Sequence, residues 1–179
     1  MTPEEPPSAP SSRPSIRIIN RQRLAPSGRR RLAPILVRIL ADHGVPTGLS
    51  IDISLVRDPV IHPLNRTYRK IDQPTDVLAF PYIDPQEWSG ERPLLRSDSP
   101  LTPAEEPLIG EILISTDQAL KQSESLKKEI EEVIAHLAIH GVLHLLGYDH
   151  DRPETQREMR RMERRYLGLW NRPGEGDSK

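Results

Sequence analysis

Residues 140–150 read His-Gly-Val-Leu-His-Leu-Leu-Gly-Tyr-Asp-His, and this run restricts the fold more than any other part of the chain. His140 and His144 are four apart, so on a helix their rings leave one face, one turn above the other. Gly147 suits the left-handed conformation that ends a helix, turning the chain back so that His150 approaches the same point. Three imidazoles converging in this way leave a fourth tetrahedral position open, the arrangement of a catalytic rather than a structural zinc site. The segment therefore asks for a helix, a glycine turn and a return of the chain.

A lone His on an apolar helix face is usually a packing residue, and one HxxxH pair arises by chance. Three His at i, i+4 and i+10 with a glycine between the last two form a much narrower pattern. His136 makes a second such pair with His140. However, His136 and His144 are two turns apart, about 12 Å at the standard rise, so one ion cannot take both. The glycine turn favours His144 as the partner of His150 and leaves His136 as a packing residue or a support behind the ligands. The spacing equals the HExxHxxGxxH of metzincin proteases, except that Gly141 stands where their catalytic Glu would be. The metal reading survives that change. The alternative of a zinc metalloprotease-like hydrolase is badly damaged by it, and the methionines (Met1, Met159, Met162) offer no clear Met-turn.

The length of 179 residues suits one domain with one core. Residues 1–14 are rich in Pro, Ser and Glu, and both they and residues 171–179 read as disordered tails around a domain at 15–170. Without cysteine, disulfides and thiolate ligands are excluded, and any metal site must use His, Asp or Glu. No apolar run is long enough for a membrane span, and the start lacks a secretory signal, which fits a cytoplasmic protein. A net charge of −1 argues against nonspecific coating of nucleic acid. Arginines nevertheless cluster at Arg21–Arg38 and again at Arg157, Arg160, Arg161, Arg164 and Arg165. Either they sit on solvated helix faces balanced by Glu154, Glu158 and Glu163, or they bind phosphates; the sequence leaves both open.

Hydrophobic spacing predicts strands at Ser15–Asn20, Leu49–Leu55, Thr75–Tyr82 and Leu108–Ser115. It predicts helices over Gly28–His43, Asp58–Asp72, Gln118–Gln122, Ser125–Leu146 (bearing the His motif) and Pro153–Leu167. With helices gathered at the end, the order indicates α+β: a small mixed four-stranded sheet packed with about five helices. Residues 83–106 exceed the usual loop length and read as a long flexible loop or a flap.

Asn65–Pro81 packs Asn, Tyr, Arg and Asp just ahead of an apolar strand. Asp72 and Asp76 suit turn chemistry around Pro74. Arg69 is different, because a guanidinium held on a short helix can clamp a phosphate bidentately. Here the chain resembles the YbeY family of bacterial rRNA-maturation endoribonucleases. The match comprises NxxYRxxDxPTDVLxFP at 65–81, a Gly-Glu-Ile element at Gly110–Ile112, and HGxLHLxGYDH at 140–150. Ala79 departs from the family's usual Ser, and the 83–106 loop is longer than typical.

The resemblance implies one zinc ion held by His140, His144 and His150, with Arg69 and Lys70 meeting RNA and Arg69 and His140 taking part in catalysis. It implies single-strand-specific cleavage, maturation of the small-subunit (16S) rRNA 3′ end and late ribosome quality control. The implied partners are rRNA and the small ribosomal subunit, with small-subunit ribosomal proteins and an assembly GTPase. Three imidazoles also suit nickel, copper or iron, so the choice of zinc leans on the family. Since Gly141 supplies no base, Glu111 or Asp76 is a candidate for that role, or the metal suffices. A noncatalytic ribosome-assembly factor with a structural zinc is the remaining alternative.

Overall fold

The computed structural model describes residues 14–22, 28–83, 108–149 and 151–172. Its centre is two strands buried on both faces, β2 (Ser50–Val56) and β4 (Leu108–Ser115). They pair in parallel, with Asp52 opposite Glu111 and Ile53 opposite Ile112. Strand β1 (Ser15–Asn20) adds in parallel beside β2, and β3 (Val77–Pro81) runs antiparallel along the other side of β4. The order β1-β2-β4-β3 makes β3 an edge strand. This is the mixed four-stranded sheet of an α+β domain, as the sequence predicts. The third strand is shorter than the expected Thr75–Tyr82, because Asp76 turns its carboxylate back onto the Val77 amide (2.8 Å).

The alternating pattern of β2 sends Ile51, Ile53 and Leu55 to one face, where they join the main core. Helices α1 (Arg29–Asp42), α4 (Ile130–Leu145) and α5 (Pro153–Trp170) bury their apolar residues there, including Leu36, Ile39, Ile134, Val142, Met159 and Tyr166. The other face carries a smaller cluster, in which Ile61 of α2 (Asp58–Arg69) meets Val56, Leu78 and Leu113. On that face also lie Asp52 and Glu111. Arg17 pairs with Asp52 (2.9 Å), and the Tyr82 hydroxyl donates to Glu111 (2.8 Å).

The break between two expected helices lies later than predicted. Expected between Gln122 and Ser125, it falls where α3 (Thr116–Leu126) ends at Lys127, which is left-handed at φ 54°, and the chain restarts at Ile130. The Lys128 amide donates to the Ser123 carbonyl (3.0 Å) and satisfies the end of α3. Apolar periodicity continues across this break, so spacing alone does not fix its position. Helix α2 likewise stops at Arg69 rather than Asp72, with Lys70 left-handed at φ 61°. Helix α5 runs three residues past the expected Leu167, to Trp170, over whose ring the Arg31 guanidinium lies at 4.6 Å.

Helix α4 buries ten of its 16 residues, so it must lie close on the sheet. Two glycines allow this. A Cβ at Gly141 would stand 2.8 Å from Ile112 Cγ2, and one at Gly110 would stand 2.7 Å from Leu145 Cδ2. The expected 83–106 loop (beyond Ile83) and most of both expected tails lie outside the described residues.

Candidate active site

The end of α4 fixes the first half of the His motif. Gly147 is left-handed at φ 87°, the Tyr148 amide donates to the Leu143 carbonyl (3.0 Å) and the Gly147 amide to the His144 carbonyl (3.0 Å). These paired bonds stop the helix and turn the chain, as the glycine predicts. A second anchor comes from α1. His43 Nδ1 lies 2.7 Å from the Ile39 carbonyl, which can only accept, so His43 donates there and its Nε2 accepts from the Tyr148 hydroxyl at 3.0 Å. His150 lies outside the described residues.

His140 and His144 point into a cleft of about 560 Å³. Their Nε2 atoms stand 3.1 Å apart, with the rings edge to face. Glu163 of α5 sets the state of the first ring. Its Oε1 lies 2.7 Å from His140 Nδ1, and a carboxylate only accepts, so the proton sits on Nδ1. In the neutral imidazole this leaves Nε2 as a lone pair aimed into the cleft. Two nitrogens bound tetrahedrally to one zinc are about 3.3 Å apart, given bonds near 2.05 Å. The His140–His144 pair is close to that separation without rearrangement, so these donors fit the metal. Among the described residues no group of three such donors stands complete; the third expected one is His150.

His136 stands beside the same carboxylate. Its Nε2 is 3.8 Å from the same Glu163 oxygen, one turn behind His140. Burial raises the Glu163 carboxyl, but the hydrogen bonds and charges of His136 and His140 outweigh this and hold it down to about 2. Glu163 is thus an anion shared by two imidazoles. The sequence reading misses this residue, treating it as a surface partner for arginine. Its position beside the buried Met159, Met162 and Tyr166 stripe of α5 is the signal that separates it from the other glutamates.

The opposite wall comes from the Asn65–Pro81 constellation. Asn65 is buried, and its amide donates to the Gln73 carbonyl (2.7 Å), tying α2 to the segment that enters β3. This places Arg69, the last residue of α2, at the cleft. Among the described residues no carboxylate lies within 4 Å of its guanidinium. Asp72 instead takes His62 (2.9 Å). Asp76 lines the cleft but is held on both oxygens, by the Val77 amide and by Gln122 Nε2 (2.8 Å each). Lys70 stays outside the cleft, its ammonium on the Thr67 carbonyl (3.0 Å).

Glu111 is not brought to the site. Its neighbours Gly110 and Ile112 face α4, so strand alternation turns Glu111 to the far face of the sheet, where it is fully buried beside Tyr82. Contrary to the expectation, Glu111 is not among the described residues lining the cleft. Gly141 is also explained: its absent side chain is the contact between α4 and Ile112, and no glutamate fits there. Asp149 and Asp151 line the cleft as well, and the sequence reading singled out neither.

Residues 18–171 match the family model described as Endoribonuclease YbeY. A Thermoanaerobacter protein of that name is 36% identical over 137 residues, which is 76% of this chain and 84% of that protein. One from Clostridioides difficile is 35% identical over 141 residues, 79% and 84% of the two chains. The Myxococcus xanthus protein is 39% identical over 123 residues, but the match spans only 37% of its length. The solution structure of TM1509 from Thermotoga maritima shares the fold, with a TM-score of 0.54 and 23% identity over 92% of this chain and 99% of that one. With a match across almost all of the domain, this chain belongs to the Endoribonuclease YbeY family.

Proposed function

We propose that this protein is a zinc-dependent endoribonuclease that cuts single-stranded RNA. The reading extends to the 3′ end of small-subunit rRNA and to late ribosome quality control in the cytoplasm. The observation that carries the nuclease reading is the pair of converging Nε2 atoms of His140 and His144 facing a cleft that also holds Arg69. Family membership supplies the substrate class.

His140, His144 and His150 would hold the ion. Bound there, zinc supplies Lewis acidity, which acidifies water and polarises a phosphoryl oxygen. The protein's own residues do the rest. Glu163 keeps the proton on His140 Nδ1 and fixes the ring that presents Nε2. Arg69 binds the scissile phosphate through its planar fork and neutralises charge that grows there in the transition state. Asp76, held by the Val77 amide and by Gln122, is one carboxylate on the cleft wall that would orient an attacking water. The protease reading has no support at Gly141, and Met159 and Met162 are buried within α5 rather than in a turn beneath the metal.

The test is His144→Ala. We expect loss of both zinc retention, read by metal analysis, and cleavage of a single-stranded RNA. Full cleavage by the metal-free variant would overturn the proposal. The expected partners are rRNA, small-subunit ribosomal proteins and an assembly GTPase, checked by co-purification with 30S particles.

A further inference from the structure

The described side chains of the cleft are more acidic than basic. Among the described lining residues, Asp76, Asp149, Asp151 and Glu163 stand against one guanidinium, that of Arg69, and the whole chain carries a net charge of −1. A strand longer than the cleft would gain further electrostatic hold from cations outside it.

Helix α5 divides its arginines into two sets. Arg165 is 3.1 Å from Asp42 and lies over the Tyr166 ring, and Arg161 is 3.7 Å from Glu158. These are occupied within the fold. Arg157, Arg160 and Arg164 are exposed, and among the described residues none has a carboxylate within 4 Å. Arg157 makes only a hydrogen bond from Nε to the Pro153 carbonyl (3.2 Å).

Their placement is not random. At about 100° per residue, Arg160, Arg164 and Arg157 sit about 60°, 100° and 120° round the axis from Glu163. The buried stripe of Met159, Met162 and Tyr166 lies on the opposite side of Glu163. Glu163 is thus the border between core and solvent on this helix, and it is also a wall of the cleft. The three cations form a row about 10 Å long that begins where that wall ends. At 100° per residue Glu158 lies about 100° or more round the axis from each of the three, and Glu163 borders the row on its core side.

We propose that this row on α5 is a docking surface for the phosphodiester backbone of the RNA substrate as it leaves the cleft. The proposal rests on the nuclease reading and adds the path of the strand. Contacts of this kind are independent of base identity and release counterions, so each weakens with salt.

The experiment is fluorescence anisotropy with single-stranded RNAs of about four and about sixteen nucleotides, the range over which strand-tracking grooves bind. The protein is the full chain and the variant is Arg157→Ala/Arg160→Ala/Arg164→Ala. For the longer RNA, the slope of log affinity against log salt should shrink by about 2, from about 0.7 per phosphate. Across one decade of salt that is about a hundredfold in affinity at 0.1 M. The shorter RNA should lose far less, and the corresponding triple Lys variant should regain the slope. An unchanged slope for the longer RNA, or equal losses for both lengths, would overturn the docking row. If wild-type protein cleaves RNA and the slope is unchanged, the row falls and the nuclease reading stands. If wild-type protein binds the longer RNA through these arginines but cleaves nothing, the nuclease reading falls and the row stands. Absence of any RNA binding would overturn the row.

Discussion

At the scale of single residues, Arg69 and Glu163 do different work on opposite walls of one cleft. Arg69 has no carboxylate partner among the described residues, so Arg69→Glu removes no ion pair. We expect zinc content and thermal stability close to wild type, with RNA cleavage slowed on the order of a hundredfold by loss of one transition-state contact. Arg69→Lys should recover part of this. A variant that unfolds, or one that cleaves normally, would remove Arg69 from the site. Glu163 acts through His140, and partners of this kind typically tune metal affinity by about 10- to 100-fold. Glu163→Ala should therefore release zinc to a competing chelator at lower chelator concentration, and Glu163→Gln should lie between. Equal retention in all three proteins would reduce Glu163 to a packing residue. The two histidines and Arg69 were legible in the sequence, because spacing on a helix and residue type carry their chemistry. Glu163 was not, since a Glu among arginines on a predicted helix reads as a surface pair until the face of α4 opposite it is known.

At the scale of elements, the glycine in the slot of the missing base is a packing device. Gly141 lets α4 rest on Ile112 of β4, and that contact sets how deep His140 and His144 sit. Gly141→Ala should destabilise the fold by about 1–3 kcal/mol, the usual cost of overpacking a filled core, measured by urea unfolding. A neutral or stabilising change would show that α4 can shift at no cost. The turn after α4 was readable from Gly147, whereas the position of the break between α3 and α4 was not. Leu126 and Ile130 keep the apolar period through it, and nothing about lysine at 127 announces a left-handed residue. Likewise Glu111 belongs to a strand whose polar residues looked available, and only the register with Asp52 and the packing of Gly110 show which face it takes.

At the scale of the whole molecule, α1 and α5 are fastened through Asp42, which accepts from Arg38 (2.6 Å), Arg165 and the Tyr166 hydroxyl (3.1 Å each). Burial raises the Asp42 carboxyl, yet these partners outweigh it and hold it below the ordinary aspartate range. A depressed carboxyl stabilises the folded state above its unfolded pKa, near 3.9, and that contribution fades as pH falls through the lowered value. Thermal melts of wild type and Asp42→Asn should thus differ at neutral pH and converge toward pH 3; a constant gap would exclude this linkage. The α+β class was legible from the order of periodic segments. The strand order β1-β2-β4-β3 was not, because periodicity says which face a strand buries and nothing about its neighbour. Whether the assembled cleft cuts RNA through zinc is decided most directly by stripping the purified protein with chelator and returning zinc in measured amounts. Cleavage of a defined small-subunit rRNA precursor is followed throughout. We expect it to vanish on stripping and to return in proportion to added zinc, levelling off at one ion per chain. Undiminished cleavage by the stripped protein, or one bound zinc per chain with no cleavage, would contradict the account.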